Sequence, residues 1–167
     1  NSVEEILAET SFPAHDLKLE ITESVFIEHP ELAVEMLHQL RELGTSIDID
    51  DFGTGYSNLG YLVKLPISNL KVDGSFVSMI DADGGNDEIV RAIITLAQNL
   101  GLRVIAEGVE TEVQLEKLKQ LGCEGGQGYL FAKPMIFEDL RDFFIEANYF
   151  DAAPPLFDDH SAISLIQ

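Results

Sequence analysis

The sequence predicts an α/β fold made of successive parallel βα units, and three observations carry that reading. Apolar residues recur at helical spacing in three segments of ten or more residues. Each of those segments ends at a glycine and leads at once into a short strand-like stretch. The strand-like stretches alternate polar and apolar residues, where strands buried on both faces should be continuously apolar.

The first helix of the set covers Glu31–Leu43, with Leu32, Ala33, Met36, Leu37, Leu40 and Leu43 on one stripe. Pro30 opens it and Gly44 follows it. The second covers Asp87–Leu100, with Asn86 as the expected N-cap and Gly101 beyond its last turn. The third covers Glu112–Leu121. Thr111 and Gln114 have capping-box spacing there, and Gly122 closes the helix. Helices at Val3–Thr10 and Phe137–Ala147 complete the set. Strands are expected at Leu17–Ile21, Ser46–Asp50, Asn69–Val72 and Arg103–Ala106, and a fifth near Gly125–Leu130. Residues 1–147 thus form the predicted domain. Residues 148–167, with Pro154-Pro155 and Asp158-Asp159, are expected to be a tail or linker.

One strand parity is apolar: Leu17, Leu19, Ile21, Ile47, Ile49, Leu70, Val72, Val104 and Ala106. It can pack beneath helices. The other parity carries Lys18, Glu20, Thr22, Ser46, Asp48, Asp50, Asn69, Lys71, Asp73, Arg103, Ile105 and Glu107. Such residues must gather on the inner side of the sheet, as in a closed barrel, where charge is costly unless paired or bound to metal. In a (β/α) barrel the active site lies at the C-terminal ends of the strands. Glu20, Asp50, Lys71 and Glu107 fall at or near those ends, in four different strands.

The chain has 167 residues, 46% of them hydrophobic, enough for one domain with a core. Ten Lys and Arg stand against 30 Asp and Glu, a formal charge of −20. That balance excludes a general DNA- or RNA-polymer binder and disfavours anionic membrane surfaces. A small anionic substrate stays open if cations supply the missing charge. The single cysteine, Cys123, excludes an internal disulfide, fits a reducing cytoplasm, and reads as a small buried apolar residue. No stretch is long enough to span a membrane, and no signal peptide is visible. A cytoplasmic location is expected, with an anchor elsewhere in a longer parent left open. The first residue is Asn, so a fragment or processed chain is expected.

Asp50-Asp51 followed by Phe52-Gly53-Thr54-Gly55 is the sharpest chemical signal. Adjacent strand residues normally face opposite ways, so both acids can reach one site only where the strand breaks, and the glycines offer a break. Two carboxylates forced together call for a cation, and hard oxygens suit Mg²⁺ or Mn²⁺. The bland alternative is a loop whose acids cap the next helix. Glu20 alone could be surface. Lys71 could be a structural ion-pair partner or could position a water and offset phosphate charge. Glu107 and Glu110 could merely cap the following helix, and Gln127 could bind a ligand or complete a turn. His15, His29, His38 and His160 form no metal-binding spacing. Ser24 and Ser57 read as ordinary loop or cap residues.

Five blocks resemble, in order, those of EAL domains: Glu20-Ile-Thr-Glu23-Ser, Asp50-Asp51-Phe-Gly-Thr-Gly-Tyr-Ser, Leu70-Lys71-Val-Asp73-Gly-Ser-Phe76, Ala106-Glu107-Gly-Val-Glu110-Thr and Gln127-Gly-Tyr-Leu-Phe131-Ala-Lys-Pro134. The resemblance runs from about Val3 to Ile145. It implies a TIM-like barrel, modified near its start. It implies hydrolysis of cyclic di-GMP to linear pGpG with two Mg²⁺ or Mn²⁺ ions. By matched position it implies Glu20 as a ligand of the first metal, Asp50 as the bridging ligand, and Asp51 with Glu107 at the second. Lys71 matches the residue contacting the attacking water, with Glu110 and Gln127 in support. Glu23 matches the residue that holds the Phe52-Gly53-Thr54-Gly55 loop, which in that family lies near a homodimer interface. The sequence departs from the family in lacking Glu-Ala-Leu and the later Asn-Leu-Ser block. A whole barrel needs about 250 residues, so roughly 80, including the first strands and helices, are expected to be missing. The fragment alone is therefore expected to be catalytically impaired. A degenerate member that senses cyclic di-GMP or docks a partner is the competing expectation, and another metal-dependent barrel is a third.

Overall fold

The computed structural model describes residues 2–23, 30–55, 59–80 and 87–146. Helix α1 (Ser2–Thr10) and a 3₁₀ turn (Ala14–Asp16) precede strand β1 (Lys18–Thr22). Helix α2 (Pro30–Glu42) leads to β2 (Ser46–Phe52). A short α3 (Leu59–Leu62) leads to β3 (Asn69–Val72), and a second short helix, α4 (Gly74–Val77), leaves it. Helix α5 (Glu88–Asn99), β4 (Arg103–Ala106), α6 (Glu112–Leu121), β5 (Gly125–Gly126) and α7 (Phe137–Glu146) follow. The Asn86 cap and the tail expected from Asn148 lie outside the described residues, as do Ser24, His29, Ser57 and His160. Asp87 occupies the N-cap position of α5, without a side-chain cap bond.

The sheet is parallel throughout and its order is β1-β2-β3-β4-β5. This is the α/β architecture that the helix-to-strand rhythm predicts, because a parallel neighbour requires a crossover helix. The capping box at Thr111 and Gln114 is formed, and Gly122 ends α6 in a left-handed conformation with φ 81°. The alternation also holds. Ile47, Ile49, Leu70, Val72, Val104 and Ala106 join Val90, Ile93, Ile94 and Ala97 of α5 and Leu115 and Leu118 of α6 in one core. Each large side chain so buried contributes about 1.5–3 kcal/mol. Cys123 is buried in the same core, and burial pushes its thiol up to about 12. α1 buries none of its residues.

The opposite face is polar and still closed to solvent. Asp48, Asn69 and Lys71 are each 1% exposed or less. Asn69 Nδ2 donates to Asp48 Oδ1 at 2.6 Å, and Lys18 Nζ approaches Asp48 Oδ2 at 3.5 Å. By register Asp48 stands between Glu20 of β1 and Asn69 of β3, while Lys18 pairs with Ser46 and reaches Asp48 on the diagonal.

Two expectations need correction. β5 is two residues long, not six. Beyond it the chain turns to bond Val109: the Val109 N–H donates to Gln127 O and the Leu130 N–H to Val109 O. Glu124 Oε2 accepts from the Val104 N–H at 2.8 Å, supplying a bond that a longer neighbour strand would have made. The strand break expected at the glycines lies earlier, as the site makes clear. No described helix is long and apolar enough to cross a membrane.

Candidate active site

β2 does not stop at Asp50; it runs to Phe52 and bulges. Ile49 pairs with Leu70 and Phe52 with Val72, so Asp50 and Asp51 together stand opposite Lys71. Asp51 takes φ 53°, a left-handed conformation that Asp tolerates better than most residues. The bulge is what delivers two successive acids to one side of the sheet. Gly53, at φ 98°, continues the turn rather than starting it.

Lys71 is the centre of the cluster. Its Nζ lies 2.8 Å from Glu20 Oε2, 3.1 Å from Asp50 Oδ1 and 2.6 Å from Glu107 Oε1. Four strands or strand ends thus meet at one ammonium. The Glu107 contact is close but off the hydrogen-bond direction, and Oε1 is otherwise without a partner. Burial works against the charged amine, but the nearby carboxylates of Glu107, Glu20 and Asp50 outweigh it and raise its pKa above the ordinary 10.5. Lys71 is therefore protonated at neutral pH.

Asp50, Asp51 and Glu107 each offer an oxygen atom within 4.8 Å of the others. With Glu20 these are four carboxylates against one ammonium, a formal excess of three negative charges. The strain is visible in the titration directions. Burial raises the Glu107 carboxyl, Lys71 opposes the rise, and Asp50 and Glu20 add to it. Burial also raises Asp51, followed by the charges of Asp50 and Asp73. A convergent set of hard oxygen donors with surplus negative charge fits a divalent cation.

The supporting residues divide. Glu23 is 7% exposed, and its Oε2 accepts from the Gly53 N–H at 3.3 Å. Its carboxylate also lies under Gly55, where an added Cβ would stand 3.3 Å from it. The Thr54 hydroxyl and amide both donate to the Asp51 carbonyl, while Phe52 is buried in the core. Gln127 lies beside Ala106 through its backbone N–H, and its Oε1 is buried without a partner. Glu110 does not join the cluster. Its side chain is exposed, makes no ion pair among the described residues, and its N–H donates to Gln114 Oε1. His15 and His38 are exposed.

Asp73 is the residue to which the sequence reading gave no role. It caps α4 by accepting from the Ser75 amide and hydroxyl, which hold its carboxyl below the ordinary range. Asp51 and Asp73 also shift each other's titration, Asp73 helping to raise Asp51 and Asp51 helping to lower Asp73. The place of Asp73 two residues after Lys71 on the polar parity was the available signal.

The model of the EAL domain matches residues 1–134. The chain belongs to the EAL domain family. Among its relatives, the cyclic di-GMP phosphodiesterase NbdA of Pseudomonas aeruginosa is 47% identical over 156 residues, which is 93% of this chain and 20% of that protein. The chain therefore spans about one fifth of that relative's length. The solved PaMucR phosphodiesterase, in complex with c-di-GMP, superposes with a TM-score of 0.79 at 45% identity. That match covers 83% of this chain and 56% of PaMucR. Klebsiella pneumoniae BlrP1, solved as a manganese/cy-diGMP complex, gives 0.70 at 32% identity over 80% of this EAL chain and 34% of BlrP1. The α/β, parallel-sheet reading and the family resemblance of the five blocks are thus both borne out.

Proposed function

We propose that this EAL chain forms much of the active site of a phosphodiesterase that opens cyclic di-GMP to linear pGpG with the help of two Mg²⁺ or Mn²⁺ ions. The observation that supports the reading most is the meeting of Glu20, Asp50 and Glu107 on Lys71, with Asp51 turned to the same side. Cleavage of a phosphodiester needs charge compensation at phosphorus and an oriented water. Bound divalent ions would supply Lewis acidity and lower the pKa of that water.

In this reading Glu20 would hold the first ion, Asp50 would serve both, and Asp51 and Glu107 would hold the second. Lys71, with three carboxylate oxygens within 3.1 Å of its Nζ, serves as a donor rather than a general base. It orients the attacking water and offsets charge that develops on the phosphate oxygens. Gln127 offers a buried, unpartnered Oε1 as a further acceptor for that water. For Glu110 a supporting role rests on the family resemblance alone. Glu23 holds the Phe52–Gly55 loop, and the complete domain pairs as a homodimer beside that loop. The 167-residue chain, which carries neither Glu-Ala-Leu nor Asn-Leu-Ser, turns over slowly by itself.

The test uses the parent protein with its own preceding sequence. Incubation with cyclic di-GMP and Mg²⁺ or Mn²⁺, followed by chromatography, should yield pGpG. Asp50→Ala should abolish the product while the far-UV spectrum stays unchanged. Binding without turnover in the unmodified parent would replace the enzyme with a sensor.

A further inference from the structure

Phe76 has no part in the chemistry above. It lies in α4, the short helix that leaves β3, and its ring is partly buried against the apolar core. A Cβ built on Gly53 would stand 2.9 Å from Phe76 Cε2 and 3.3 Å from Ile93 Cδ1. Gly53 therefore rests directly on the ring and on a side chain of α5. From its other side, the Gly53 N–H reaches Glu23 Oε2 at 3.3 Å, a long bond.

This packing bears on the carboxylate two residues earlier. Asp51 holds φ 53°, a strained backbone that persists only where its surroundings impose it. Its carbonyl is tied to Thr54 by two bonds, so Asp51, Gly53 and Thr54 move as one turn. One long hydrogen bond pins that turn from the β1 side. The contact that backs it comes mainly from Phe76, with Ile93 of α5 beside it.

We propose that Phe76 is a positioning residue: its ring braces the Gly53 turn and thereby aims the Asp51 carboxylate at the oxygens of Asp50 and Glu107. The proposal rests on the reading of these three acids as cation ligands. Removing the ring frees space beside Gly53 and lets the turn relax. The Asp51 oxygen then spends less time within reach of its partners. Leucine fills part of the same space and should restore part of the effect.

The test uses the 167-residue chain and two readouts. Amide hydrogen exchange, followed by NMR without metal, reports the turn, and free Mn²⁺ by electron paramagnetic resonance reports binding. Phe76→Ala should speed exchange at Gly53 and Thr54 while Leu70–Val72 keep wild-type rates. It should weaken Mn²⁺ binding by about 10-fold, the usual effect of losing a group that orients a ligand. Phe76→Leu should fall between. Unchanged exchange at Gly53 and Thr54 in Phe76→Ala overturns the proposal, and so does equal acceleration at Leu70–Val72, which marks a purely structural role. A wild-type chain that binds no Mn²⁺ removes the ligand reading, while the exchange comparison still decides whether Phe76 braces the turn.

Discussion

Lys71 Nζ and Glu107 Oε1 lie 2.6 Å apart on the polar face of the sheet, with the lysine side chain 1% exposed and the glutamate 13%. The pair joins β3 to the turn after β4, and it anchors a cluster in which acids outnumber the amine. Lys71 thus ties three acids of separate segments together.

Lys71→Met leaves Glu20, Asp50 and Glu107 without their shared cation. Removing one member of a buried pair costs about 3–5 kcal/mol, and the partial exposure of the acids places this case near 3. Urea melts of the metal-free chain measure it. The pH dependence has a definite sign. The Lys71 pKa is raised, so its contribution is complete below the ordinary 10.5 and is lost as pH climbs through the higher folded value. Wild type and variant should therefore converge in stability at strongly alkaline pH.

Asp51→Asn should stabilise the metal-free chain at neutral pH. Burial, then Asp50 and Asp73, raise the Asp51 carboxyl above 3.8, so its ionised form costs the fold free energy. That cost is fully present above the folded pKa and vanishes below the unfolded one. Melts at about pH 7 should show the gain, and melts at about pH 3 should show none. The same substitution should weaken Mn²⁺ binding, a trade of stability against site chemistry. A loss of stability at neutral pH would contradict the picture of crowded carboxylates.

Glu23→Ala removes the acceptor of the Gly53 N–H and the carboxylate beneath Gly55. Mn²⁺ affinity should fall by about 10- to 100-fold, the range for groups that orient metal ligands. Glu23→Gln keeps a carbonyl oxygen in place and should retain most of the affinity. Calorimetric titration of both variants distinguishes a role for the hydrogen bond from a role for the charge.

Gly128→Ala places a methyl group into the Val109 backbone at a residue with φ 156°. Val109 is tied to Gln127 and Leu130 by backbone bonds, so the strain moves Gln127. A loss of about 3 kcal/mol is expected from this kind of backbone conflict, read as a lower melting midpoint.

Much of this arrangement was legible in the sequence because period two separates the faces of a strand. Glu20, Asp50, Lys71 and Glu107 stand out as polar residues at strand ends, and they do meet. What was not legible has a common cause: it depends on single backbone angles. The bulge at Asp50-Asp51 hangs on one φ of 53°, which Asp residues adopt only occasionally. The turn that cuts β5 short similarly hangs on Gly128 packing against Val109. Helices α3 and α4 span four residues each, too few to display a period. Asp73 was readable on the polar parity, but its interaction with Asp51 joins two segments whose distance the sequence does not state.

The contact of Lys18, Asp48 and Asn69 at the far end of the sheet bears on how the strands find their alignment. A slip of β2 by a single position would carry Asp48 among the aliphatic side chains beneath the helices and leave Ile47 facing Lys18 and Asn69. Misaligned pairings are thereby penalised. A chain with aliphatic residues at both positions would gain oiliness and lose fidelity, assembling into mixtures instead of one product.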